Sequence, residues 1–298
     1  MRNENMKLFC DWGTSSFRLF LVTNDGAIVA QTTSNQGVSR LPKVKQAGYL
    51  REQAEQLCAE AAELSVYVCG MAGSGLGLAN AGYQACPTGA EALASHLVSI
   101  DVPGLKQVWL VPGLSDTQTS ADVMRGEETQ LLGWLASDLA YTQGAFTLCL
   151  PGTHSKWAQV NDGIVQRFQT AFTGEMYALL TQHSTLKRQS EQVDNAGFAL
   201  GLAASNSEQP LLSAVFGARA KVLLGQMPAA QSDAFLSGLL IGCEVKQMWL
   251  AGRVHIIANG QLSALYQQAC DFYGIPTQVH SGDGLSVAGL QLISTFCQ

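Results

Sequence analysis

Asp11-Trp12-Gly13-Thr14-Ser15-Ser16-Phe17-Arg18 is followed by an apolar stretch and then by Asn24-Asp25-Gly26. Further along, Pro151-Gly152-Thr153-His154-Ser155-Lys156-Trp157 runs through Ala158-Gln159-Val160 into Asn161-Asp162-Gly163. Both stretches have one plan. An apolar strand enters, a Gly-Thr-x-Ser turn follows, a second strand leaves, and an Asn-Asp-Gly turn opens a third. Glycine lets backbone come close to a ligand, and inward-facing N–H groups and hydroxyls suit a phosphate. Two copies in one chain predict a nucleotide gripped between two similar domains.

Outward from these turns, the first half continues with strands at residues 7–11, 17–23 and 27–33. A helical stretch at 41–63 carries Leu50, Ala54, Leu57 and Ala61 near helical spacing. A strand at 65–69 ends at Gly70-Met71-Ala72-Gly73-Ser74, and another spans 108–111. A polar loop at 114–120 then leads to a helix from about 122 to 139. The pattern restarts near residue 145 with strands at 146–150, 156–160 and 164–169. Largely helical sequence fills 174–252, and a strand at 254–258 runs into Asn259-Gly260 and a helix at 263–273. A strand at 277–280 and a helix at 285–296 close the chain. The expectation is α/β, with lobes at 1–140 and 141–298 and the last helix a candidate to return to the first lobe.

Composition narrows the classes. The 298 residues are 47% hydrophobic and 13% charged, which is globular, and the net charge of −6 argues against a non-specific nucleic-acid binder. The N-terminus has no apolar leader core, and the apolar run at 236–250 contains Glu244 and Lys246, so it reads as a buried helix and not a membrane span. Eight cysteines without CxxC spacing, among them Cys10, Cys69 and Cys149 inside strands, fit a reduced, cytoplasmic protein. Oligomeric state is open, with a homodimer one option. The absence of any Gly-Lys pair excludes a P-loop. Gly73-Ser74-Gly75-Leu76-Gly77 is out of register for a dinucleotide fingerprint, and Gly284-Leu285-Ser286-Val287-Ala288 misses a nucleophile elbow at its last position. The five histidines show no metal-ligand spacing.

The two turns differ in chemistry. Asp11 stands at the end of an apolar strand, where a carboxylate can hold Mg²⁺ through water. Gly13, Thr14 and Ser15 offer N–H groups to a phosphate, and Arg18 can clamp a phosphate or a carboxylate. In the second turn Gly152, Thr153, His154, Ser155 and Lys156 supply the cradle, with His154 and Lys156 adding positive potential.

These turns resemble the two phosphate motifs of the superfamily that unites actin, heat-shock ATPases and sugar kinases. Residues 254–260 with the following helix are similar to its adenosine motif, which implicates Asn259 and Gly260. A closer resemblance spans nearly the whole chain. Asp11 to Ser15, Gly70 to Ser74, Asp122-Val123-Met124-Arg125-Gly126-Glu127-Glu128-Thr129-Gln130, Leu150 to Trp157 and Phe172-Thr173-Gly174-Glu175 occur in this order. Together they resemble the 2-dehydro-3-deoxygalactonokinases. The resemblance implies two ribonuclease-H-like lobes with an ATP cleft between them, the actin-like ATPase fold. It also implies ATP- and Mg²⁺-dependent phosphorylation of 2-dehydro-3-deoxy-D-galactonate at its 6-hydroxyl, with no nucleic-acid or membrane partner. The alternatives are a kinase for another sugar acid, such as 2-dehydro-3-deoxygluconate, and a non-kinase ATPase of the superfamily.

Phosphoryl transfer needs charge stabilisation, in-line placement of the hydroxyl and a carboxylate to take its proton. Glu127, in a segment similar to the base-bearing segment of carbohydrate kinases, is preferred over Asp122, which reads as a helix N-cap, and over Asp116. Glu128 reads as a solvated helix face. The substrate carboxylate needs a cation, for which Arg18, Arg125 and Arg167 are candidates. Gly70, Met71, Ala72, Gly73, Ser74, Gly174 and Glu175 complete the expected substrate contacts.

Overall fold

Residues 6–118, 120–186 and 194–297 are described by the structure, a computed structural model. Residues 1–5, Thr119 of the polar loop, residues 187–193 of the helical stretch and Gln298 lie outside the described residues.

Among the described residues, three sheets organise the chain. The first has the order β3 (Ile28–Ser34), β2 (Phe17–Thr23), β1 (Met6–Trp12), β4 (Ser65–Cys69), β7 (Gln107–Leu110), β6 (Val98–Ile100). β1, β2 and β3 are antiparallel neighbours, whereas β1, β4 and β7 run parallel. The second has the order β12 (Ile164–Ala171), β11 (Ser155–Asn161), β10 (Ala145–Leu150), β13 (Val254–Ile257), β14 (Thr277–His280), with β10, β13 and β14 parallel. The repeat in sequence is thus a repeat in topology, a three-strand meander continued by parallel strands. The turn of the second meander places both Asp162 and Gly163 at positive φ, 49° and 75°, as a two-residue hairpin with the right-handed twist of its strands requires.

The third sheet, β5 (Tyr83–Ala85), β8 (Gly113–Asp116) and β9 (Asp122–Met124), corrects two expectations. The polar loop at 114–120 begins as a strand, and Asp122 starts β9, not a helix. In the β8–β9 register Asp116 faces Asp122. The helix begins only at Glu127, after Gly126 has turned the chain at φ +106°.

The helices are α1 (Lys43–Leu57), α2 (Ala90–Ala94), α3 (Glu127–Ser137), α4 (Thr173–His183), α5 (Asn195–Ser205), α6 (Leu211–Leu223), α7 (Ser232–Met248), α8 (Gly260–Phe272) and α9 (Leu285–Thr295). Among the described residues, no helix is long and apolar enough to cross a membrane.

The chain divides into two units. Unit 1 runs through Ala145 and takes in Val160–Arg167 and the segment from Gly282 onward; unit 2 is Phe146–Gln159 and Phe168–Ser281. Leu8, Cys10, Trp12, Leu19, Val66, Val68, Val108 and Leu110 centre the core of unit 1. Its sheet also carries α9, which packs on β1, β4 and α3. Cys149, Trp157, Leu202, Ile241, Val254, Ile256 and Tyr266 centre the core of unit 2.

Candidate active site

In unit 1 the parallel strands β1 and β4 end side by side, with Asp11 in register with Cys69. Turns beyond the carboxyl ends of parallel strands are the usual place for ligands in α/β sheets. Asp11 also faces Arg18 across the β1–β2 ladder, and Arg18 Nη2 donates to Asp11 Oδ2 at 2.6 Å. The Ser286 hydroxyl, from the first turn of α9, donates to the same oxygen at 2.7 Å. Asp11 Oδ1 takes part in neither bond. The Gly13 N–H is used inside its own turn, donating to Ser16 O at 2.9 Å. Thr14 and Ser15 lie exposed at the tip, and the Val38 and Ser39 amides hold the turn's carbonyls.

The Gly70–Gly73 turn follows β4 directly. Gly70 has φ +84°, and a Cβ there would sit 2.8 Å from Trp12 O. A Cβ on Gly126 would meet Gly70 Cα at 3.4 Å. The ends of β1 and β4 and the start of α3 therefore converge. Met71 and Ser74 are half-buried, Ala72 and Gly73 buried, and the Ser74 hydroxyl donates back to Met71 O at 2.7 Å.

Two glutamates begin α3. Glu127 Oε2 accepts the Arg125 N–H at 3.1 Å, and its half-buried carboxylate lies at the positive end of the helix. Glu128 Oε2 accepts the Gly126 N–H at 2.6 Å and Oε1 accepts the Thr129 hydroxyl at 3.0 Å. Glu128 is not a solvated residue: it is 0% exposed, because α9 covers that face of α3. Burial first, and the neighbouring Glu127 charge second, push its carboxyl up to about 8.

Arg125 Nη2 donates to Gly82 O at 2.8 Å, and its guanidinium carbon lies 4.5 Å from the centre of the Tyr83 ring. Its Nε and Nη1 are buried and have no hydrogen-bond partner in the protein, and a Cβ on Gly73 would come within 2.9 Å of Nη1. The unpaired donors thus lie beside the Gly70–Gly73 turn. Arg167 is half-buried in β12. Asp122 Oδ1 accepts the Val123 N–H at 2.7 Å, and Asp116 is buried with Oδ1 accepting the Gln118 N–H at 2.8 Å.

In unit 2 the second turn leaves β10, and Asn259-Gly260 leaves its parallel neighbour β13. Asn259 is the N-cap of α8 and accepts the Ser281 hydroxyl at 3.0 Å. Thr153 and His154 are exposed, whereas Ser155 and Lys156 are buried, so Lys156 is not a solvated strand charge. Gly174 and Glu175 belong to this neighbourhood. A Cβ on Gly174 would fall 2.3 Å from Gly152 O, and the Glu175 N–H donates to Thr153 O at 2.9 Å. Glu175 Oε2 lies 2.5 Å from His154 Nε2, and the His154 ring stacks on Phe172 at 5.4 Å. Beneath the turn, buried Glu244 accepts from Trp157 Nε1 and the Tyr266 hydroxyl, each at 2.8 Å. A charge inside an apolar run was its only sign in the sequence. Ser286 had none, being 275 positions from Asp11.

A family model described as 2-keto-3-deoxy-galactonokinase matches residues 11–293. The probable 2-dehydro-3-deoxygalactonokinase DgoK1 of Rhizobium meliloti (strain 1021) is 36% identical over 295 residues, covering 94% of each chain. The 2-dehydro-3-deoxygalactonokinase of Escherichia coli (strain K12) is 33% identical, covering 95% of this chain and 96% of its own. A crystal structure from Sinorhizobium meliloti, of a protein assigned as a 2-dehydro-3-deoxygalactonokinase, superposes with TM-score 0.88 at 32% identity over 97% of this chain and 98% of that one. Component A of the (R)-2-hydroxyglutaryl-CoA dehydratase from Acidaminococcus fermentans shares the fold, at TM-score 0.51 and 10% identity over 99% of this chain and 100% of that one. The fold is that of the actin-like ATPases and sugar kinases. With a model match over nearly its whole length and two full-length relatives above 30% identity, the chain belongs to the 2-keto-3-deoxy-galactonokinase family.

Proposed function

We propose that this chain transfers the γ-phosphoryl group of ATP to the 6-hydroxyl of 2-dehydro-3-deoxy-D-galactonate, giving the 6-phosphate in galactonate catabolism. Membership of a kinase family supports the reaction. The observation in the structure that carries the site is the convergence of Asp11, the Gly70–Gly73 turn, Arg125 and Glu127 where β1, β4 and α3 meet.

Within it, Glu127 is the general base, because it stands at that junction whereas Asp122 lies out on β9 with a carboxylate oxygen on its neighbour's N–H. Arg125 takes the substrate carboxylate. Its buried Nε and Nη1 lack protein acceptors, while Arg18 is closed onto Asp11. The Gly70 to Ser74 turn lines the sugar. In unit 1 Gly13, Thr14 and Ser15 serve phosphate; in unit 2 the Gly152 to Lys156 turn serves phosphate, Asn259 and Gly260 the adenosine, and Gly174 and Glu175 support that turn.

Asp11 is suited to Mg²⁺ through water. Oδ1 lies outside both of its bonds, and no group of three His, Cys, Asp or Glu converges among the described residues. That fits an ion that keeps its waters and takes one carboxylate with substrate phosphates. Bound there, it would neutralise charge on the transferring group. Eight free cysteines are in keeping with a reducing, cytoplasmic setting.

The test is coupled ADP release across a panel of sugar acids. Turnover is expected with 2-dehydro-3-deoxygalactonate. Turnover only with another acid, such as 2-dehydro-3-deoxygluconate, moves the substrate and keeps the kinase, and ADP release without any acid leaves only an ATPase. Glu127→Gln is expected to lower kcat by about 10²–10⁴-fold with nucleotide binding retained. Arg125→Gln is expected to raise KM for the acid and leave KM for ATP in place.

A further inference from the structure

Glu244 is a carboxylate on α7 with 4% exposure. An ionised carboxylate enclosed to that degree is costly unless donors surround it. Four side chains serve it. Trp157 Nε1 and the Tyr266 hydroxyl donate to its two oxygens at 2.8 Å, and the hydroxyls of Thr173 and Ser155 also bond it. Ser155 Oγ is in turn 2.7 Å from the Tyr266 oxygen. Burial pushes the carboxyl up, and the bonds from Thr173, Trp157, Tyr266 and Ser155 oppose that push.

The donors are placed to matter. Ser155 ends the Gly152 to Ser155 turn and begins β11, and Trp157 follows two residues on, on the same face of the strand. Thr173 is the first residue of α4, directly before Gly174, which lies against Gly152 O, and Glu175, whose N–H holds Thr153 O. Both segments that shape the turn are therefore tied to one carboxylate beneath it. We propose that Glu244 is the positioning residue of the second phosphate turn, holding Ser155 and Thr173 so that Gly152, Thr153 and His154 meet the nucleotide phosphates in one fixed geometry. The proposal rests on the reading of that turn as a phosphate grip. Glu244 itself touches no phosphate.

Glu244→Gln, Thr173→Val and, in the turn itself, Thr153→Val are compared as full chains in steady-state kinetics and in ADP binding by calorimetry. Glu244→Gln keeps an acceptor for Trp157 and turns an amide toward the hydroxyls; Thr173→Val removes a single donor. Each is expected to raise KM for ATP and weaken ADP by about tenfold, the size of one lost charge-assisted bond. KM for the sugar acid is expected to stay within about twofold. A lower melting temperature with KM for ATP unchanged in both variants, or an equal rise in both KM values, would overturn the positioning role. If Thr153→Val leaves ATP and ADP unaffected, the phosphate-grip reading fails; if it weakens them while Glu244→Gln does not, the positioning role alone fails.

Discussion

Glu128 shows how one residue's behaviour is decided by what packs against it. A carboxyl raised to about 8 takes up its proton on folding, since in the unfolded chain it ionises near 4.5. Between those values the native state binds the extra proton, so the contribution of Glu128 to stability falls as pH rises from about 4.5 to 8 and is level beyond. Glu128→Gln keeps the shape of the neutral acid. Its melting temperature relative to the parent is therefore expected to rise across pH 5–8 and then stay constant, a gain on the order of a few kcal/mol at the upper end; thermal melts at matched pH check it. A flat difference across that range would mean Glu128 is ionised throughout. The sequence could not reveal this burial. Two adjacent glutamates at a helix start look alike, and the helix that covers one of them, α9, lies more than a hundred residues away. The pairing of Asp11 with Arg18 has the opposite origin, a tight turn between two short strands that sets them face to face locally, whereas the sequence pointed each of them at a ligand.

At the scale of elements, the meanders were readable because Gly-Thr-x-Ser and Asn-Asp-Gly turns punctuate apolar strands at both ends. The strands at 277–280 and 65–69 fell where expected, bounded by breaks in the apolar pattern. The third sheet was not readable. Its strands have three or four residues each, too short for any period to register, and Asp122 at the head of one looks like a cap. What separates β9 from α3 is Arg125 and Gly126, and the turn is made at Gly126. At φ +106° a side chain is strained, and a Cβ would also press on Gly70 at 3.4 Å. Gly126→Ala is expected to cost about 1–2 kcal/mol in chemical denaturation. Because the strain moves Glu127 against the Gly70–Gly73 turn, kcat is expected to fall more than KM for ATP changes. An alanine variant with parental stability would show that this turn tolerates another conformation.

At the scale of the molecule, α9 is the element on which unit 1 closes. It buries Leu285, Val287, Leu290 and Ile293, brings Ser286 to Asp11 and sets Ser294 Oγ 2.8 Å from Lys7 Nζ. Four such side chains are worth about 6–12 kcal/mol in transfer from water, as much as a domain's whole stability. A chain ending at Ser281 is expected to lose unit 1 as a folded body, seen as lost protection of β1 and β4 amides in hydrogen exchange, with β10, β13 and β14 protected as before. The repeated strand pattern could be read from sequence because each copy carries its own turns. The sequence offered the last helix as a candidate to return to the first lobe, and the segment from Gly282 onward groups with unit 1; Val160–Arg167 groups with it too, through contacts that leave no local pattern. That division has a consequence during synthesis on the ribosome, where the chain emerges from its N-terminus. Unit 1 is begun first, but its last helix is made only after Ser281, when every strand of unit 2 is already in place in the nascent chain. The unit that holds Asp11 and Glu127 is therefore the last to be completed, and a translation product stalled short of α9 carries no finished unit 1.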